Sequence, residues 1–454
     1  MRRITNRAIA LLALLAVFCA GVVILAVQFA HNGARWATNR ANSHIYAGGA
    51  LRQAGAVFDR NGVVLAESEE DTRNMPGGSD LRKATLHAVG DPQGYISTGA
   101  HAAYRGILTG YSRLNGIYDL IKYGKGSDVV LTIDAQLCKA AWLALEGRKG
   151  TVGVMNYKTG EVLCMVSSPT YDPLDKPENI DGNPAYDAVY LNRLLHGLFT
   201  PGSTFKIITA AGALAHIPAI ESRTFNCTGK FSTGDGYVIC NSVHGKLSFA
   251  KALEVSCNSA FAQIALELGQ QNLRATANAL GFNRAFQSEK LPLATSVFSA
   301  AARTPLELGW AGIGQHTTLA NPAHMMMLLG AIANGGKATE PRLIKNTITP
   351  GGLQRPFSAA KTAFQMDAAI AARLQTLLRG NVTNNYDAAG RTAGWQLFGK
   401  TGTAQVDGKN PHAWFVGACL NPQMPYAIVV VGENAGSGRS VAFNIAVQVL
   451  RAAQ

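Results

Sequence analysis

Ser203 and Lys206 stand three residues apart in Pro201-Gly202-Ser203-Thr204-Phe205-Lys206, directly before the apolar run Ile207–Leu214. A Pro-Gly pair punctuates the chain, and the run that follows reads as a helix apolar on nearly every side. Such a helix lies within a core. Side chains three apart share one of its faces. A lysine at the start of a buried helix must find a partner for its charge or give the charge up. An amine that gives it up can take a proton from a neighbouring hydroxyl. That is the chemistry of a serine nucleophile with a lysine base. The same spacing also fits an ordinary Ser/Thr helix start with a snorkelling lysine, and by itself it arises often by chance.

Two later patterns supply partners. Ser256-Cys257-Asn258 lies in a helical stretch, Glu254–Phe261. A small hydroxyl and an amide two residues apart can both point into a cleft from a turn between helices. The hydroxyl can pass a proton and the amide can hold a substrate peptide group. Alone the pair is weak, because Ser-x-Asn more often caps a helix. Lys400-Thr401-Gly402-Thr403 falls within the strand pattern Gln396–Val406. Gly402 would let a substrate backbone approach closely. Lys400, Thr401 and Thr403 suit a carboxylate through charge-assisted hydrogen bonds. A backbone N–H here, with that of Ser203, suits an oxyanion. The chain carries its own control, since Lys158-Thr159-Gly160 is also K-T-G and reads as a plain hairpin turn. Strand context, and position after the other two patterns, separate the copies.

These residues need a scaffold, and the chain is long enough to build one. Its 454 residues fit two or three domains at roughly 100–200 residues each. With 47% hydrophobic and only 15% charged residues, a large core is available and disorder is not the default. Val129–Asp134 opens a regular pattern, with Asp134 placed to cap a helix over Ala135–Gly147. Strands over Thr151–Tyr157 and Glu161–Ser167 follow, then a polar stretch to about Asn192 and the serine helix. Helical periodicity dominates Phe249–Gly281 and Pro305–Gly335. Strand patterns return at Gln396–Val406, Ala413–Cys419 and Tyr426–Gly432, before an amphipathic helix over Val441–Ala453. This order predicts an α+β fold: a helical block inserted into a mostly antiparallel sheet, with a cleft where they meet. Upstream, Ala56–Ala66 holds two short β-type runs around Asn61-Gly62, a strong hairpin signal. Glu67–Met75 is charged and loop-like. Asn32–Lys125 reads as a small β-containing domain with nothing catalytic in it.

Arg2, Arg3 and Arg7 precede the apolar run Ala8–Ala30, which at about 23 residues exceeds the ~20 that span a bilayer. No clean A-x-A cleavage site follows. A single uncleaved anchor is expected, with a cleaved signal peptide as the alternative. The arginines place the tail inside and everything after about His31 outside the cytoplasm. Ala320–Gly335 is apolar but contains Asn321, His324 and Asn334, and is not read as a second span. The net charge of +13 favours anionic surroundings. No zinc-finger spacing, basic helix or interleaved Lys–aromatic run points to nucleic acid. Of the seven cysteines, Cys19 lies in the span, and Cys138, Cys164, Cys257 and Cys419 read as small core residues. Cys227 and Cys240 flank the loop Thr228–Val238. In an oxidising compartment they are either bridged or two separate thiols.

Together, S-x-x-K, S-x-N and K-T-G in this order resemble the signature of penicillin-binding proteins and class A β-lactamases. Cys257 departs from the central residue of S-D-N and fits the S-x-N form of the former. The stretches Pro201–Lys206, Lys400–Gln405 and His412–Gly417 are similar to class B penicillin-binding proteins. So are the Asp59–Ala66 hairpin, Leu131–Asp134, the Cys227/Cys240 loop ending in His244-Gly245, and Gly312–Gln315. The resemblance runs from the anchor to the C-terminus and is most specific from about Val129 on; the front domain looks shorter than in many members. It implies a tail and transmembrane anchor over 1–30, a pedestal domain over 31–127 and a transpeptidase domain over 128–454. The last would be an antiparallel sheet flanked by helices, with a helical subdomain.

The resemblance also implies roles. Ser203 would attack the D-Ala-D-Ala carbonyl of a peptidoglycan stem peptide, with Lys206 as base and Ser256 and Lys400 relaying the proton to the leaving D-alanine. Asn258 would hold the donor peptide. Thr401 and Thr403, beside Gly402, would grip its carboxylate, and the N–H groups of Ser203 and Thr403 would form the oxyanion hole. A neighbouring stem's amine would close a 4-3-type crosslink. β-Lactams would trap Ser203. No metal or cofactor is implied; the implied partner is a polytopic SEDS-family glycan polymerase, met through the span and front domain. Rival readings are a D,D-carboxypeptidase or a β-lactamase, the latter needing a water-activating base that no glutamate obviously supplies. A β-lactam sensor should carry more spans and a cytoplasmic output domain. An idle scaffold should have lost one of the three motifs.

Overall fold

In the computed structural model of the chain, residues 2–454 are described apart from 40, 43–44, 48–49, 70–71, 113, 115, 117–122, 289–290, 300–302 and 358–360. A five-stranded antiparallel sheet forms the centre, in the order Leu397–Val406, Lys409–Cys419, Tyr426–Gly432, Gly150–Asn156, Val162–Ser168. Its middle strands are continuous apolar runs, such as the buried Ala427–Val431, because both faces are covered. Helices Ala135–Ala144 and Phe443–Ala452 pack together against it, and Pro322–Ala333 covers the same strands. Asp134 caps the first of these as expected, its Oδ1 accepting from the N–H groups of Gln136 (2.9 Å) and Leu137 (3.0 Å). The control K-T-G at 158–160 is a turn between two strands, with Gly160 at φ 74°.

Between the second and third strands of the chain's own order lies the helical block. It comprises Lys206–His216, Phe249–Glu254, Asn258–Ala279 (broken at Gly269), Pro305–Gly312 and Ala368–Asn381. The polar residues of the Ala320–Gly335 stretch are explained here, because Asn321 caps its helix by accepting from His324 N at 3.1 Å. The final helix of the block, Ala368–Asn381, carries no motif and was not singled out in the sequence.

The Asn61-Gly62 hairpin forms as expected, with Val57–Phe58 paired to Val64–Ala66 and Gly62 at φ 87°. The loop expected over Glu67–Met75 is instead a hairpin: Glu67–Glu69 pairs with Thr72–Asn74, cross-strand pairing overriding the charged composition; residues 70–71 lie outside the described residues. The front region also contains a helix, Ser79–Val89. Tyr46–Ala47 and Ala50–Leu51 pair only with each other, but the strands from Val57 on do not close on themselves. They join Asp128–Leu131 and the hairpin Ile344–Ile348/Gln354–Pro356 in one six-stranded sheet, Val57–Phe58 running parallel to Asp128–Leu131. Thus the sheet crosses the boundary expected at 127/128.

Helix Arg2–Ala37 contains one stretch, Ile4–Ala37, long and apolar enough to cross a membrane, and none of its apolar window is buried in the protein. Its end docks through small residues. A Cβ at Gly33 would lie 2.5 Å from the Tyr111 hydroxyl, and one at Gly106 would lie 3.3 Å from the Ala34 methyl.

Candidate active site

Ser203 sits in a single 3₁₀ turn, Gly202–Phe205, that leads directly into the helix Lys206–His216. Residues three apart eclipse one another in a 3₁₀ turn, so Lys206 Nζ lies 3.2 Å from Ser203 Oγ. The first eight residues of the helix, Lys206–Ala213, are all buried. Two glycines make the turn possible. Gly202 has φ 52°, and its N–H donates to Gly314 O at 2.9 Å. Gly314 has φ 78°, and a Cβ there would sit 2.1 Å from Gly202 O.

Ser256 occupies the turn between Phe249–Glu254 and Asn258–Ala279 and holds φ 59°, a left-handed conformation rare for a residue with a Cβ. That turn aims three oxygens at the lysines. Lys206 Nζ lies 2.7 Å from Ser256 O, 2.7 Å from Asn258 Oδ1 and 3.1 Å from Ser256 Oγ. A neutral amine has two N–H donors and one lone pair. The two pure acceptors take both donors, leaving the lone pair for a hydroxyl to donate to. Burial, and next the charge of Lys400, hold the Lys206 pKa well below the ordinary lysine value. Asn258 Nδ2 donates to Ile239 O at 2.9 Å, so both ends of this amide are engaged within the protein.

Lys400 lies on Leu397–Val406, the edge strand of the sheet. Its side chain is fully buried on the face turned to the serine turn. Lys400 Nζ is 3.0 Å from Ser256 Oγ, 3.1 Å from Thr401 O and 3.4 Å from Tyr386 Oη. Burial lowers its pKa to about 7. Among the described residues, neither lysine is in an ion pair, and Ser256 Oγ stands between the two amines. Thr401, Thr403 and Gln405, on the alternate face, line a cleft of about 380 Å³ with Ser203, Ser256 and Asn258. Ile239, Trp310 and Ile313 supply its apolar wall, and Asn241 and Gln315 further amides. Thr403 Oγ1 accepts from Gly438 N at 3.2 Å.

Every residue expected from the motifs converges here, but Gly402 does so for a different reason than expected. A Cβ at this position would meet Pro201 O at 2.7 Å and Thr204 Cγ2 at 3.0 Å. The glycine makes room for the chain's own serine turn. Tyr386 was missed in the sequence, where it follows Asn384-Asn385 in no recognisable pattern.

A second cluster lies beside the Ser256 turn. Cys257 is buried as expected and is also the N-cap of Asn258–Ala279, accepting from Ala260 N at 3.4 Å. Cys240 Sγ is 3.8 Å from Cys257 Sγ, and His244 Nδ1 is 3.5 Å from the sulfurs of both Cys227 and Cys240. Cys227 and Cys240 are free thiols rather than a bridge. The four donor atoms lie within 4.8 Å of one another. Three thiols and an imidazole are a donor set that could hold a thiophilic cation such as zinc. The sequence named no metal ligands, because Cys257 read as helical and His244 only as part of a loop. A hydrogen bond from Cys257 is the main cause holding the Cys240 thiol down, with backbone N–H groups of Ser259 and Asn258 adding to it.

A serine beside a buried lysine, on an α+β scaffold with a helical insert, is the arrangement of the penicillin-binding type of acyl-transfer domain. Residues 150–451 match the penicillin binding protein transpeptidase domain, and the chain belongs to that family. It is similar to the peptidoglycan D,D-transpeptidase PbpA of Mycolicibacterium smegmatis, 29% identical over 389 residues, 76% of each chain. To PbpA of Mycobacterium tuberculosis it is 30% identical over 345 residues, 68% of each. Among solved structures, penicillin-binding protein A from M. tuberculosis as a ceftriaxone acyl-enzyme complex superposes with a TM-score of 0.80 at 26% identity. That match covers 88% of this chain and 98% of the other.

Proposed function

We propose that the chain is a membrane-anchored peptidoglycan D,D-transpeptidase working through an acyl-enzyme on Ser203. The observation that carries this is the 3.2 Å approach of Lys206 Nζ to Ser203 Oγ, with the lone pair of a neutral amine left free for that hydroxyl. Ser203 Oγ attacks the carbonyl of the penultimate D-alanine as its proton passes to Lys206. The N–H groups of Ser203 and Thr403 receive the oxyanion. As the C–N bond breaks, the proton moves through Ser256 and Lys400 to the leaving D-alanine amine. Thr401 and Thr403 hold the terminal carboxylate, and Asn258 the donor peptide. The amine of a second stem peptide then takes the acyl group and restores the Ser203 hydroxyl. β-Lactams present a strained amide to the same serine.

No carboxylate lines the cleft among the described residues. This favours slow hydrolysis of the acyl-enzyme and transfer to an amine over a β-lactamase. The apolar helix anchors the chain with its N-terminus in the cytoplasm and the cleft on the outer face. The helix and front domain are where a polytopic SEDS-family polymerase would dock.

The test is intact-mass spectrometry of the chain with benzylpenicillin, beside Ser203→Ala. The expected result is a long-lived adduct of the antibiotic's mass on the wild type alone. With a D-Ala-D-Ala stem peptide, release of D-alanine and a crosslinked dimer are expected. Rapid drug turnover without an adduct would make the protein a β-lactamase, and no reaction by a folded protein would make it a scaffold.

A further inference from the structure

After Ala368–Asn381 the helix does not stop but widens into a single π-type turn, Val382–Tyr386. Such wide turns are rare and concentrate at functional sites. Three side chains on it, and Asn381 directly before it, reach both walls of the catalytic corner. Asn381 Nδ2 donates to Gly399 O at 3.1 Å, and Tyr386 Oη accepts from Thr401 N at 3.4 Å and faces Lys400 Nζ at 3.4 Å. Toward the other wall, Asn385 Nδ2 donates to Glu254 O at 2.9 Å and Asn384 Nδ2 to Glu254 Oε2 at 3.2 Å. The turn therefore bonds the strand that carries Lys400 and the end of the helix Phe249–Glu254 that leads into Ser256. Behind it, Asp387 accepts from Thr392 N (2.7 Å), Thr392 Oγ1 (2.8 Å) and Arg391 Nε (3.0 Å), fixing the exit of the segment. The Tyr386 ring rests on Phe443, centroids 5.7 Å apart.

We infer that Val382–Tyr386 is a strut setting the Ser256–Lys400 contact, and that Tyr386 is a positioning residue that holds Lys400. This rests on the acyl-transfer reading given above. An ammonium has three N–H donors, and Lys400 has three oxygens around it, from Ser256, Thr401 and Tyr386. Removing the Tyr386 hydroxyl frees one donor to rotate, and Ser256 then loses its fixed partner. Tyr386 does not itself line the cleft. It acts only through Lys400 and the Thr401 amide.

The test compares the wild type, Tyr386→Phe and Asn385→Ala for acylation by a fluorescent penicillin between pH 5.5 and 9. Phenylalanine keeps the packing on Phe443, so melting should be unchanged. Besides Lys400 and Tyr386 themselves, the charged or titratable groups around this corner include, among the described residues, Lys206, Cys240, Cys257, Glu254, Arg439, Asp387 and Arg391. Loss of an acceptor disfavours the Lys400 ammonium, so the alkaline limb of the pH profile should move to lower pH. At pH 8 the Tyr386→Phe rate should fall about tenfold, the equivalent of one ordinary hydrogen bond. Asn385→Ala should slow acylation without moving that limb. Rates within twofold of wild type at every pH would overturn the inference. So would a uniform loss accompanied by a lower melting temperature, which would make Tyr386 merely structural. A wild type that is itself not acylated would instead overturn the acyl-transfer reading beneath it.

Discussion

The amide oxygen of Asn258 accepts a hydrogen bond from Lys206 at 2.7 Å, so the residue expected to face substrate is first a partner of the base. An amide can do this without charge. A carboxylate in its place would hold Lys206 as an ammonium, because an opposite charge this close raises a lysine pKa. Asn258→Asp should therefore acylate on the order of 100-fold more slowly than wild type at pH 7 and recover as pH rises. Asn258→Ala should show no such recovery. Stopped-flow acylation across pH checks this; wild-type speed for Asn258→Asp at pH 7 would show that Lys206 is not the base.

Lys400 illustrates the stability side of the same design. Its folded pKa is lowered by burial to about 7, below the unfolded value, so the unfolded chain binds the extra proton between those two pH values. Stability then rises with pH across that window, on the order of 1 kcal/mol per unit. Lys400→Met has no such term. Its stability advantage over wild type should be largest near pH 7 and shrink toward pH 10, as followed by urea unfolding. A constant difference would mean the amine is not held in the dry site described.

Gly314 is predicted to be indispensable to the serine turn. A methyl group there would collide with Gly202 O and meet a positive φ as well. Gly314→Ala should destabilise the protein by more than about 2 kcal/mol and abolish acylation, although residue 314 does no chemistry. Thermal melting with the acylation assay decides; a stable, active variant would refute the packing described.

The Cys227, Cys240, His244 and Cys257 cluster should take zinc when the thiols are reduced, at about one equivalent per chain. Because Cys257 separates Ser256 from Asn258, removing the metal with a chelator should lower both the melting temperature and the acylation rate. Elemental analysis beside these two readouts tests it. A metal-free protein of unchanged stability in zinc-containing buffer would leave four independent side chains.

Much of the site was legible because its motifs are local. Ser203 and Lys206 share one turn, Ser256 and Asn258 another, and Lys400 and Thr403 one strand. The strands themselves were readable where apolar runs were continuous, as at Tyr426–Gly432. What stayed hidden depends on contacts between distant segments. Tyr386 acquires meaning only from Lys400, and Cys257 only from a loop seventeen or more residues upstream, Cys240 and Cys227. The strand Ile344–Ile348 is short and partly polar, and it is a strand because Asp128–Leu131 lies beside it. Gly402 was placed correctly but for the wrong neighbour, since a sequence shows that a backbone must come close without showing to what.

The six-stranded sheet built from Val57–Phe58, Val64–Glu69, Thr72–Asn74, Asp128–Leu131, Ile344–Ile348 and Gln354–Pro356 has a mechanical corollary. A catalytic head on a loose tether would sweep a broad volume and meet its targets at any elevation. Here hydrogen-bonded strands run without interruption from the front region into the head, so bending one against the other means tearing a sheet. The reach of Ser203 from the end of the apolar helix is thereby a built-in length, like the arm of a gauge. On the function proposed above, lengthening or shortening that arm should change which layer of the wall polymer Ser203 reaches, with the chemistry itself left intact.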